Sequence, residues 1–192
     1  MLTETQKFEN KQKYLELLSN LGIDLTSLIK YLDSERVDFF NKPYNAYPDY
    51  AYSGSLCEHS LKVYNELTKL CALYYPNAYS DAEIITVALL KDIYRAELYE
   101  PYTKNVKNEE TDKWEKQIAY RAKELRPMFG DINFSSYMIA RKFIDLQNDE
   151  LVEAICYSAP SNTNIELHNI RKDYKLVTLT TLAELAADYL GE

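Results

Sequence analysis

The chain has 192 residues, a length that suits one domain with a sizeable core, and 46% of them are hydrophobic, which excludes wholesale disorder. Four glycines and six prolines disfavour a turn-dense β-sandwich and favour long helices. A formal net charge of -8 excludes a global positive field for nucleic acid, and no apolar run reaches the ~20 residues that span a membrane.

The N-terminus lacks a charged-then-apolar signal, so a cytoplasmic protein is expected. Cys57, Cys71 and Cys156 are odd in number and widely spaced, and read as buried thiols of a reducing compartment. The eighteen tyrosines fit either packing at core edges or an aromatic partner surface.

In chain order, Thr3 and Gln6 have capping-box spacing ahead of Phe8, Tyr14, Leu15, Leu18 and Leu21, so a helix is expected from residue 4 to Leu21, ending at Gly22. Asp24 is placed to cap a second helix through Leu28, Ile29 and Leu32. Pro43, Pro48 and Gly54, with tyrosines and aspartates between them, mark residues 41–54 as a long loop. Ser55 is expected to cap a helix whose inward face holds Leu56, His59, Leu61, Val63, Tyr64 and Leu67. From Asp81 to Tyr99 the chain is apolar nearly all round at its centre, as in a buried helix. Val106 and Trp114 flank a polar tract and predict a small β-hairpin within 104–120. Helices follow at Ser135 to Leu146, Asn148 to Tyr157 with Asn148 as cap, and Lys175 to Leu190. There is no internal repeat, P-loop, nucleophile elbow or dinucleotide fingerprint.

The order of several motifs resembles a known family. Gly54-Ser55-Leu56-Cys57-Glu58-His59-Ser60 is similar to the first histidine motif of the HD-domain phosphohydrolases, and Leu89-Leu90-Lys91-Asp92-Ile93-Tyr94-Arg95 to their His-Asp helix. Asn105-Val106-Lys107 with Lys113-Trp114-Glu115 resembles the hairpin insert of a phage and Gram-positive bacterial branch. Phe129-Gly130-Asp131 with Ser135, then Ala154-Ile155-Cys156-Tyr157-Ser158, and finally Ala187-Asp188, occupy the places of its later motifs. The resemblance implies a mainly α, HD-domain-like helical bundle with a small β-hairpin insert over residues 41–192, preceded by an N-terminal helical extension over 1–40.

It also implies a metal site, because a divalent cation in such a fold needs imidazoles and carboxylates converging from several helices, and then acidifies water against a phosphoryl group. The remnant positions are His59, Lys91, Asp92, Asp131, Ser158 and Asp188. His59, Asp92 and Asp188 match the family's ligands, whereas Lys91, Asp131 and Ser158 stand where it has histidines. A charged lysine has no lone pair for a metal. Its ammonium is expected either to neutralise the carboxylates around Asp92 and Asp188 in place of the lost cation, or to snorkel to solvent. His168 lies in a polar segment without a motif match.

The expectation is a pseudoenzyme with no catalytic residues, binding a protein partner or a phosphorylated ligand. Arg95, Lys104 and Lys107 are then the ligand-binding candidates, against the alternative of ordinary solvated charge. No cofactor, general nucleic-acid binding or membrane association is expected. The alternative is a magnesium- or manganese-dependent phosphohydrolase with the reduced ligand set His59, Asp92, Asp131 and Asp188. The loop from Tyr44 to Tyr52 is expected over the approach to His59, as a lid or an interface.

Overall fold

The computed structural model describes residues 1–108, 112–124, 131–159 and 165–190. Helix α1, Glu4–Ser19, begins on the reciprocal cap foreseen for it: Thr3 Oγ1 accepts the Gln6 amide at 3.2 Å and Gln6 Oε1 accepts the Thr3 amide at 2.9 Å. The helix stops short of Leu21, and Gly22 follows with φ 66, the left-handed region glycine enters without a Cβ penalty. Helix α2, Thr26–Leu32, is capped by Leu25 and not by Asp24. Asp24 instead accepts the Thr26 amide at 2.9 Å in the turn just before.

After a short 3-10 turn at Phe39–Asn41 and the tyrosine-rich loop comes α3, Ser55–Tyr74. Its cap is Gly54, at φ 87; a Cβ there would lie 2.9 Å from Lys7 Cγ. Ser55 does not cap because its hydroxyl is engaged in the loop, accepting the Tyr44 amide at 2.8 Å and contacting the Tyr50 and Tyr52 carbonyls at 2.5 and 2.9 Å.

The expected single helix from Asp81 to Tyr99 is broken. Helix α4, Asp81–Leu90, starts on a second capping box, Ser80 with Glu83, and α5 is only Arg95–Leu98. Between them the Lys91 carbonyl accepts Asn133 Nδ2 at 3.2 Å. The amides of Ile93, Arg95, Ala96 and Glu97 turn to carbonyls three residues back. A tertiary hydrogen bond thus tightens the helix end into 3-10-like turns.

Strands β1, Tyr99–Lys107, and β2, Trp114–Ala122, pair antiparallel as the predicted hairpin, longer than expected, with Glu100 opposite Arg121 and Lys107 opposite Trp114. Residues 109–111 of its polar tract, and Phe129 and Gly130, lie outside the described residues. Helix α6, Ile132–Ala140, begins earlier and ends earlier than foreseen. Helix α7, Asp149–Tyr157, is capped by Asn148 as expected. Helix α8, Ile165–Asp173, occupies the polar segment for which no helix was foreseen, and α9 is Lys175–Tyr189.

The molecule is therefore mainly helical with one two-stranded hairpin. One apolar cluster joins Tyr14, Leu18, Leu28, Leu32 and Phe39 to Leu56, Leu89 and Ile93, so the N-terminal helices pack on α3 and α4. A second joins Val63, Leu67 and Val87 to Ala154, Ile155, Leu176 and Ala183. Helices α3 and α4 contribute to both. The start of α3 meets the end of α9 through His59 and Asp188, so these helices run antiparallel. Among the described residues, no helix is long and apolar enough to cross a membrane.

Candidate functional site: a buried charge cluster

The broken end of α4 aims two adjacent side chains inward. Lys91 and Asp92 are each 1% exposed, so Lys91 does not snorkel. Its Nζ lies 2.5 Å from Asp92 Oδ2 and ion-pairs with Glu184 Oε2 on α9. The second Asp92 oxygen accepts Arg95 Nε at 2.6 Å. Two cations thus face two carboxylates inside the fold. The Glu184 Oε1 oxygen accepts the Tyr44 hydroxyl at 2.5 Å.

Burial alone would raise the Asp92 carboxyl, but the Lys91 and Arg95 charges outweigh it and hold Asp92 well below the usual carboxylate range. Burial likewise opposes the Lys91 ammonium, and Asp92 with Glu184 more than restores it, so the lysine is raised and stays charged. Arg95 is raised in the same way, against its own burial, chiefly by the Asp92 charge. Burial pushes the Tyr44 phenol well up, which keeps it a neutral donor to Glu184.

His59 lies beside this group. Its Nε2 is 3.0 Å from Asp188 Oδ1. Tyr44 stacks on its ring at 3.6 Å between centroids and 14° between planes, and Tyr50 meets it edge-on at 5.6 Å. Arg95 Cζ sits 4.2 Å from the Tyr44 ring centre. The Tyr50 hydroxyl donates to the Ala187 carbonyl at 3.1 Å. The loop residues foreseen over His59 therefore fill the space against it. The His59 Nδ1 atom is buried without a hydrogen-bond partner among the described residues.

Of the positions singled out in the sequence, His59, Lys91, Asp92, Arg95 and Asp188 come together. Asp131 does not join them: its carboxylate accepts the Phe134 amide at 2.8 Å and caps α6, the ordinary use of an aspartate before an apolar helix. Ser158 is buried at the end of α7, and its hydroxyl has no partner among the described residues. The foreseen metal quartet is thus not assembled. The side chains whose ligand atoms lie within 4.8 Å of one another are His59, Glu184 and Asp188. Asp92 is not among them, and both its oxygens are engaged, by Lys91 and Arg95.

Arg95, foreseen as a ligand anchor, is partly exposed at 16%, and its guanidinium is engaged by Asp92 and the Tyr44 ring. Lys104 and Lys107 are exposed on β1, and Lys107 pairs with Asp112 at 2.5 Å. His168 falls in α8, its side chain outside the described residues. Glu184 and Tyr44 are the members sequence reasoning missed. Glu184 stands one helical turn before Asp188 amid leucines and alanines, a spacing that puts both on one face. The three cysteines are free and buried, as expected.

Comparison with models of protein families, with curated proteins and with solved structures gives no match to this chain.

Proposed function

We propose that the chain is an HD-like pseudoenzyme: a binding module in which an internal lysine takes the place of the metal. The observation that carries this reading is the Lys91 ammonium, buried between Asp92 and Glu184. Carboxylates gathered in a core need a cation, and here the chain supplies its own. Asp92 has no free oxygen for a metal, and a divalent ion beside Lys91 and Arg95 would meet two fixed positive charges. With Arg95 also consumed, the protein-partner branch of the reading is better supported than the phosphorylated-ligand branch.

A second reading, a manganese- or magnesium-dependent phosphohydrolase, is favoured by one observation: His59, Glu184 and Asp188 lie close enough to share an ion. It requires Glu184 to leave Lys91, and it ranks second for that reason.

Elemental analysis of the purified protein, with turnover of nucleotides and phosphomonoesters in added manganese or magnesium, separates the two. The pseudoenzyme reading expects substoichiometric metal and no turnover above that of Asp188→Ala. Stoichiometric metal with turnover abolished in Asp188→Ala overturns it.

A further inference from the structure

The inward face of α9 is accounted for by Leu176, Val177, Thr180, Ala183, Glu184 and Ala187. Its outward face carries Lys175, Thr178, Leu182, Leu185 and Tyr189, spaced by alternating steps of three and four residues. That spacing is the seam of paired helices, and its last three members are apolar. Leu182, Leu185 and Tyr189 are 43%, 37% and 79% exposed. On a chain of net charge -8, an apolar stripe on a helix already packed on its other face needs an explanation.

At the Lys175 end of the stripe lies a cavity of about 390 Å³ lined by Tyr74, Tyr75, Arg171, Thr178 and Leu182. Arg171 donates to the Ala159 carbonyl at 3.2 Å, which holds its side chain at the cavity wall.

We propose that this face is a two-fold interface between copies of this chain, with Tyr189 of each copy seated in the cavity of the other. An antiparallel pairing of α9 with its symmetry mate, centred between Leu182 and Leu185, sets Leu182 against Leu185 of the second copy. The same pairing sets Thr178, at the cavity, against Tyr189 of the second copy. The exposed ring is then the knob and the cavity its hole. Charge also matches. Arg171, Lys172 and Lys175 outweigh Asp173 at one end of the seam, and the carbonyl end of α9, with its partial negative charge, lies at the other. Antiparallel pairing brings opposite ends together, and every contact occurs twice, which closes the assembly at two copies. This inference is independent of whether the buried charge cluster is catalytically silent.

Sedimentation velocity of the full chain across a micromolar concentration series tests it. A dimer is expected for the native chain, and a monomer for Leu182→Glu and for Leu185→Ser, each with an unchanged far-ultraviolet spectrum because both positions face outward. Tyr189→Ala is expected to weaken the dimer by about tenfold or more, as for a central aromatic anchor. Under oxidation, Thr178→Cys with Tyr189→Cys in one chain should yield a covalent dimer, and neither single variant should. Identical positions in the pair lie eleven residues apart along the axis, roughly 16 Å. A native chain that is monomeric throughout the series overturns the proposal and leaves the face to another protein's helix or to a fatty acid. A dimer that survives both leucine variants, or single cysteines that cross-link as well as the pair, overturns it equally.

Discussion

The charge cluster at the end of α4 and the β1–β2 hairpin use the same residue types to opposite effect. In the cluster, Lys91, Asp92 and Glu184 are shut away from water, Arg95 closes its edge at 16% exposure, and each charge touches an opposite one. On the hairpin, Arg121 pairs across the strands with Glu100 at 2.8 Å, and Lys107 with Asp112 at 2.5 Å, in side chains that water reaches. The distances are alike; the surroundings decide what they are worth. Exposed pairs exchange one solvated state for another and contribute about 0–1 kcal/mol. A buried pair contributes little net beyond an apolar filling, yet removal of one member strands the other. The hairpin's charges are therefore adjustable, whereas those of the cluster are mutually required.

The largest expected effect breaks the cluster. Lys91→Met leaves Glu184 and one side of Asp92 without a cation and is expected to cost about 3–5 kcal/mol of stability, read from urea unfolding midpoints. Glu184→Leu in the same chain removes the stranded carboxylate, so the double variant should lose clearly less than the sum of the two singles. A stability unchanged by Lys91→Met would mean that its ammonium is not the counter-charge of the core.

Why the cluster was only half visible in the sequence follows from the same physics. His59, Lys91, Asp92 and Asp188 were legible only through the order of motifs that resembles a known family, and the hairpin because Val106 and Trp114 bracket a polar tract. The starts of α1 and α7 were legible because their capping bonds are local, Thr3 with Gln6 and Asn148 with Glu150. The break after Leu90 was not. No glycine or proline marks it; it is set by Asn133, forty-two residues later, taking the Lys91 carbonyl. The cap role foreseen for Ser55 failed because its hydroxyl serves the tyrosine loop instead. Asp131 was misread for the converse reason, since its local capping use outweighed the long-range role its motif position implied.

A smaller effect sharpens the comparison through Tyr44. Tyr44→Phe keeps the ring on His59 but removes the donor to Glu184, and should cost about 1.5–3 kcal/mol, the range for a hydrogen bond to a charged group. The pH dependence has a matching shape. Asp92 is held below its unfolded value of about 3.9, so its contribution is complete above roughly pH 4 and is lost as pH falls through the folded value. Lys91 is raised above about 10.4, so its contribution is complete below that value and lost as pH rises through the folded one. Unfolding free energy measured against pH should show a plateau between these limits, and Asp92→Asn should flatten its acid limb.

The smallest effect belongs to the hairpin. Lys107→Ala removes the pair with Asp112, whose side chains are 50% and 84% exposed, and should shift stability by no more than about 0.5 kcal/mol. Added salt should erase most of that difference, because charges in water are screened over about 10 Å at 0.1 M ionic strength. The deficit of Lys91→Met should persist in the same salt series, since its charges lie in the core where ions do not reach. If both deficits fade together, the cluster is wetter than its burial implies and the distinction between the two regions is one of degree.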